Sequence, residues 1–300
     1  MSKSKVWISS LRLKTLPLSI SGILIGSALA YTNQFFDSTI FIFALLTTIS
    51  LQILSNLAND YGDGVKGTDN NNRIGPERAI QSGLISPEQM KYAIIINVLI
   101  LIILISSLLY FSFDTNEYFN LFTFFLLGIL SIFSAIKYTV GNKAYGYYAL
   151  GDLFVLLFFG FLSVMGSYYL YSKTLDLNLV SPSLSIGLLS VAVINLNNMR
   201  DLFSDKLSKK ITIAGILGFK NSKKYHFIIL ISSIIFSIQF ILFFYYKPIS
   251  LIVILSYIPI ISHLKKVYYI AQPELYDSEL KKVAILTFIF SLLHSLIIII

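Results

Sequence analysis

Long apolar runs and short polar stretches alternate along the whole chain. The runs fall at about 16–31, 39–58, 92–111, 118–136, 149–171, 182–198, 226–246, 249–264 and 283–300. Each is close to the roughly 20 residues that a helix needs to cross a hydrocarbon core. None shows the period of two expected of a strand with one wet face. A bilayer offers no water to unsatisfied backbone N–H and C=O groups, so segments of this kind must be helices. The pattern predicts an all-α polytopic membrane protein with nine transmembrane helices.

Charge orients these helices. With the N-terminus inside, the inner segments are the N-terminal tail, 59–91, 137–148, 199–225 and 265–282. Together they carry 21 of the 23 Lys and Arg, against Lys173 and Lys247 outside. An error in the number of spans would swap sides partway along and spoil that split, so the positive-inside rule supports an inner N-terminus and an outer C-terminus. A rival reading takes the basic start, the apolar run and "SALA" as a cleavable signal. The long polar part before Pro17 argues against it.

Composition agrees. Of 300 residues 56% are hydrophobic and 13% charged, with mean hydropathy +0.77; a soluble domain carries about 25% charged residues. The net charge of +8 follows from topology and calls for no nucleic-acid partner. With no cysteine, disulfides, thiolate metal sites and cysteine nucleophiles are excluded. His226, His263 and His294 are scattered and read as isolated, interfacial residues.

The polar residues concentrate in two inner segments, after the second and sixth runs. Asn56, Asn59, Asp60 and Asp63 stand at i, i+3, i+4 and i+7, one face of a helix. "NLNNMRDLFSD" places Asn197, Asn198, Asp201 and Asp205 on a second face. Clustered acids at a membrane boundary repel one another, so a cation is expected between them. Carboxylate and amide oxygens favour Mg²⁺, above all where phosphate completes its shell. Lys66, Arg73, Arg78, Arg200, Lys206, Lys209 and Lys210 lie nearby and suit a diphosphate. The four-helix offset suggests a single membrane-embedded domain, 1–300, made of two halves, 1–148 and 149–282, with a final helix at 283–300. A cation transporter is the rival from another class, but transporter sites lie near the midplane on broken helices. Elsewhere the inner loops read as structural: Gly75-Pro76 makes a turn, and Ser86-Pro87-Glu88-Gln89 starts a helix with a capping box.

Three stretches carry a wider likeness: "NLANDYGDGVKGTD…RIGPERAIQSG", "KYTVGNKAYGYYALGDLFVLLFFGFLSVMGSYYL" and "NNMRDLFSDKLSKKITIAGILG". They resemble the UbiA-type intramembrane prenyltransferases, most of all the branch that prenylates 1,4-dihydroxy-2-naphthoate in menaquinone synthesis. The opening "W…RLKTLPLSISGILIGSALA" also fits that family's first helix. The resemblance implies a central cavity open to lipid, with two Asp-rich motifs holding Mg²⁺ and a polyprenyl diphosphate. It implies a place in the inner (plasma) membrane with the site toward the cytoplasm.

Carried over by position, the metal would be held by Asn56, Asp60, Asp63, Asn198, Asp201 and Asp205. Lys66, Arg73, Arg78, Lys143, Arg200 and Lys210 would hold diphosphate, and Asn59, Asp60 and Asp201 would act in catalysis. Two positions depart from the superfamily pattern. Gly67 stands where a third acid is usual, with Asp69 two residues on, and Lys209 stands at the third position of the second motif.

The chemistry implied is electrophilic aromatic substitution. The allylic C–O bond ionises, the dihydroxynaphthoate ring attacks at its carboxylate-bearing carbon, and carbon dioxide and a proton leave. Aromatic rings such as Tyr61, Tyr138 and Tyr147 could meet an allylic cation but also suit an interface. Asp152 reads as a helix-start acid. Arg12 and Lys14 are candidates, by position, for the aromatic carboxylate. Other acceptors, 4-hydroxybenzoate or homogentisate among them, remain open at this point.

Overall fold

A computed structural model describes residues 2–69, 74–244 and 247–300. Among them, nine helical segments are long and apolar enough to cross a membrane, which matches the expected all-helical architecture. A short helix α1 (Lys3–Ser10) precedes α2 (Leu16–Thr32), with a break at Arg12, whose φ is 50°. Then follow α3 (Ser38–Val65), α4 (Pro87–Ser112), α5 (Tyr118–Lys137), α6 (Gly151–Ser172) and α7 (Val180–Arg200). A short α8 (Leu202–Leu207) leads to α9 (Ile213–Phe244), α10 (Ile254–Tyr269) and α11 (Tyr276–Ile299).

Local chemistry explains several ends. Asp37 caps α3 by accepting from Thr39 N and Ile40 N, and the capping box at α4 is present in full between Ser86 and Gln89. Gly218, at φ 70°, bends α9, so the apolar run from 226 through Phe244 is the later part of an element that starts at Ile213.

The most buried span is α7, which packs against α6, α9 and α11. Ser183, Ser185, Gly187, Ser190 and Ala192 are buried along it, and small residues of this kind let helix backbones approach in a bilayer. The same device joins α2 to α6: a Cβ on Gly26 would lie 2.0 Å from Ser167 Oγ and 2.6 Å from Val164 O. Helices α4 and α5 are among the least buried spans and expose many Ile, Leu and Phe.

The histidines correct the sequence reading. All three are buried inside the protein, and two of them are not isolated but in contact. His226 and His263 meet at 2.9 Å through their Nε2 atoms, and His263 Nδ1 lies 2.6 Å from Glu279 Oε2. Lys266 pairs with the other oxygen of Glu279, and Asn195 Nδ2 approaches His226 Nδ1 at 3.4 Å. The chain of bonds crosses α7, α9, α10 and α11. His294 bonds Ser237, which in turn meets Tyr257 at 2.7 Å.

Candidate active site

A cavity of about 830 Å³ runs up between the helices from the Lys/Arg-rich end. Its polar end is built by the last turns of α3 and the junction of α7 with α8. Asn56, Asn59, Asp60 and Asp63 all line it, so the face read from the sequence is the face that points inward. The second face is built differently. Helix α7 ends at Arg200, and Asp201 leaves helical geometry (φ −93°, ψ 10°) before α8 begins. The chain folds back so that Asp205 N donates to Asp201 O at 2.8 Å, and both carboxylates still reach the cavity. Asn197 is the wall residue of that turn; Asn198 points away, and its Oδ1 is buried without a hydrogen-bond partner.

The carboxylates have unlike surroundings. Asp60 is 1% exposed; its Oδ1 accepts from Arg12 Nη2 at 2.6 Å, with Arg78 Nη1 at 3.5 Å. Asp201 is held by its neighbour Arg200, Nε to Oδ1 at 2.8 Å and Nη2 to Oδ2 at 2.6 Å. The same guanidinium donates to Asp277 Oδ1 at 2.9 Å and Asn197 Oδ1 at 2.8 Å. Fork-shaped pairing of this kind fixes geometry as well as charge.

Asp63 and Asp205 instead share Lys210. Burial draws that ammonium down, but the two carboxylates outweigh it and hold the group above the ordinary lysine range. Burial also pushes the Asp205 carboxyl up to about 6, with Lys210 opposing and Asp201 and Asp63 adding to the rise. The two motifs therefore feel each other's charge. Asp205 Oδ2 is buried with no hydrogen-bond partner.

The loop after α5 closes the site from the side. Thr139 Oγ1 donates to Ala58 O at 2.9 Å, and Lys66 Nζ donates to Thr139 O at 2.7 Å. This approach requires a glycine at 62, where a Cβ would lie 2.7 Å from the Thr139 carbonyl carbon. Tyr147 OH donates to Asp63 Oδ1 at 2.7 Å and lies 2.8 Å from Thr68 Oγ1. Beyond it, Ala149 N donates to Ile211 O at 2.9 Å and Ile211 N to Tyr147 O at 3.2 Å. Backbone bonds thus join the loop after α5 to the loop after α8.

Of the expected diphosphate ligands, Arg78, Arg200 and Lys210 line the cavity. Lys66 is turned aside, its ammonium 4.0 Å above the Tyr147 ring, and Lys143 is exposed, away from the wall. Arg73 lies outside the described residues. Arg12, Lys14 and Asp69 are wall residues, as is Tyr138, whose phenol burial raises to about 12. Tyr61 and Tyr147 are not, nor is Asp152, which accepts from Tyr225 OH at 3.0 Å. Sequence reasoning missed Asp277 and Lys281, which line the site from the start of α11. Their spacing of four was the available signal, in a segment read only for its charge.

Six Lys or Arg and seven Asp or Glu line the cavity among the described residues. No three His, Asp or Glu there converge tightly enough to cage a metal unaided. Mg²⁺ takes one or two carboxylates and completes its shell with water and substrate phosphate. Asp63 and Asp205, the latter with its unpartnered oxygen, are the donors that fit.

Residues 19–293 match the model of the UbiA prenyltransferase family. The chain is 47% identical to 1,4-dihydroxy-2-naphthoate octaprenyltransferase of Escherichia coli (strain K12), covering 81% of this chain and 78% of that one. It is 46% identical to the enzyme of the same name from Haemophilus influenzae, over 76% and 74% of the two chains. The fold matches a UbiA homolog from Archaeoglobus fulgidus bound to GPP and Mg²⁺, with TM-score 0.69 and 14% identity over the full length of both chains.

Proposed function

The chain belongs to the UbiA prenyltransferase family, and from that premise we propose that it transfers a polyprenyl group from a polyprenyl diphosphate to 1,4-dihydroxy-2-naphthoate. Carbon dioxide is lost and a demethylmenaquinol is formed, a step of menaquinone synthesis. One observation carries this reading: the Asn/Asp turns of α3 and α7–α8 meet at the polar end of a cavity whose remaining wall is mainly apolar and is built by the helices long enough to span a membrane. Such a chamber suits a molecule with a diphosphate head and a hydrocarbon tail. The relatives named for that reaction supply the acceptor.

In this reading Asp63 and Asp205, with amide oxygens of Asn59 and Asn197, hold Mg²⁺. Once bound, the ion would neutralise diphosphate charge and ease departure of the leaving group. Arg78, Arg200 and Lys210 hold the diphosphate oxygens, each fixed beforehand by a carboxylate so that little reorganisation accompanies the reaction. Asp60 and Asp201 act through these arginines, keeping the guanidinium groups aimed at the diphosphate. The bond between the allylic carbon and the diphosphate oxygen breaks, and its electron pair leaves with the diphosphate. The ring carbon bearing the carboxylate forms the new C–C bond, and the pair of its bond to the carboxyl returns to the ring as carbon dioxide departs. The apolar wall excludes the water that would otherwise capture the cation.

We place the Lys/Arg-rich end toward the cytoplasm on the distribution of positive charge. The two acidic turns, one in each half, fit the proposed division at 148–149.

The test is a reconstituted assay with Mg²⁺, polyprenyl diphosphate and one acceptor at a time, reading product mass and released carbon dioxide. Prenylated, decarboxylated naphthoate is the expected product. Transfer only to 4-hydroxybenzoate or homogentisate would reassign the acceptor, and no transfer to any aromatic would overturn the proposal.

A further inference from the structure

Away from its polar end the cavity wall becomes mainly apolar on α5 and α6, while α3 contributes Thr47, Thr48, Gln52 and Ser55. On α6 two adjacent rows line the cavity at every fourth position, one from Phe154 to Leu170 and one from Val155 through Phe159 and Ser163 to Ser167. At 3.6 residues per turn such a row would drift round the axis by about 40° at each step. Residues Leu156–Gly166 are instead wound as a π-helix, and its wider i→i+5 turn counters the drift. Both rows therefore keep facing the cavity. Opposite them, the wall formed by α3 extends from Asp60 to Ala44, about 24 Å at the helical rise of 1.5 Å per residue.

At the far end the channel meets a braced aromatic ring. Phe124 of α5 lines the cavity and stacks on Tyr169 of α6, with ring centroids 5.2 Å apart. Phe113, which follows α4, packs against Phe124 at 5.3 Å and against Tyr169 at 6.4 Å. The Tyr169 hydroxyl donates to Asn120 Oδ1 at 2.9 Å, and the Lys173 ammonium sits 4.4 Å above the Phe113 ring. Two helices and the end of a third thus hold the ring, and it cannot swing aside without breaking that hydrogen bond or opening the stack.

We propose that Phe124 is the stop against which the far part of the prenyl tail packs. Braced by Tyr169 and Asn120, it sets the tail length that the cavity prefers. The proposal rests on the reading above, in which the polar end holds the diphosphate and the tail extends from it into the membrane. A tail shorter than the channel leaves apolar wall uncovered. One that outruns it has to bend or return toward lipid, and either loses contact energy.

The experiment uses the full chain reconstituted in lipid, as wild type, Phe124→Ala, Phe124→Trp and Tyr169→Phe. Binding of geranyl, farnesyl, geranylgeranyl and longer polyprenyl diphosphates is measured in the presence of Mg²⁺, alongside kcat/KM for transfer. Phe124→Ala is expected to move the preferred tail to a longer homologue, changing the long-to-short ratio of kcat/KM by roughly tenfold, as adding or removing a few methylenes of space does in other pockets. Phe124→Trp should move it the other way. Tyr169→Phe keeps the ring but loses the bond to Asn120, and should broaden the preference. Ratios that are the same in all four proteins overturn the stop. Length-dependent binding that shifts with Phe124, but without transfer to any acceptor, leaves the stop standing and overturns the reading of the reaction. A wild type that binds none of these diphosphates overturns both.

Discussion

Arg12 Nη2 donates to Asp60 Oδ1 at 2.6 Å, joining the break that follows α1 to the last turns of α3. Arg12 can reach there because its left-handed backbone (φ 50°) turns the chain between α1 and α2. Asp60 is almost wholly buried, so losing this partner leaves the carboxylate, among the described residues, with the longer contact to Arg78. A double-mutant cycle of Arg12→Gln and Asp60→Asn, read as KM for the prenyl donor, is expected to show coupling of about 1–3 kcal/mol. Additive effects would mean that the pair does not act as a unit.

Among the described residues no arginine clamps Asp63 or Asp205, and the two share Lys210, which makes them the carboxylates best placed for a cation. Changing either to Asn should raise the Mg²⁺ concentration needed for half-maximal turnover and lower kcat by about 10²–10³-fold. Asp277→Asn, which disturbs the outer contact of Arg200 and the ion pair with Lys281, should leave the Mg²⁺ requirement where it is. Titration of activity with Mg²⁺ for the three variants checks the distinction.

The contact between α2 and α6 at Gly26 tolerates no side chain. Because a Cβ would meet the Val164 carbonyl as well as the Ser167 hydroxyl, Gly26→Ala should lower stability by about 1–3 kcal/mol. Adding Ser167→Gly relieves the hydroxyl but not the carbonyl, so only part of the loss should return. Thermal unfolding in detergent gives the comparison.

Glu279 stands behind the cavity wall, in the bonded chain with His263, His226 and Lys266. Glu279→Gln keeps the shape but presents a donor where His263 or Lys266 expects an acceptor. The cost should be about 1–3 kcal/mol of stability, the usual penalty for an unsatisfied buried group. The donor KM should stay within twofold. A large rise in KM at unchanged thermal stability would assign this chain of residues to the reaction.

What could be read beforehand follows from the range of each signal. Nine apolar runs stand out because crossing a bilayer takes some 20 residues of one character. Asp60 and Asp63 both face the cavity, as their spacing predicts, because α3 continues as a regular helix through Val65. The second motif was placed less well, since the bend at Asp201 brings Asn197 rather than Asn198 to the wall. Lys66 and Lys143 were expected near phosphate from their position in motifs, yet a lysine's direction depends on what is packed beside it, here Thr139 and Tyr147 for Lys66. The pairing of His226 with His263 joins residues 37 apart, which no local pattern marks. Nor does any residue type announce the π-helix at Leu156–Gly166, although the i, i+4 row of apolar residues is visible once that winding is known.

The backbone bonds between Tyr147–Ala149 and Ile211 tie the loop that straddles the proposed division of the chain to a loop of the second half. The first loop contacts Asp63 through Tyr147, and the second carries Lys210. A displacement of either loop is therefore transmitted to the other, and the two acidic motifs have one shared degree of freedom in place of two. Donor entry and diphosphate departure should each register as a single kinetic phase, whichever half carries the reporter.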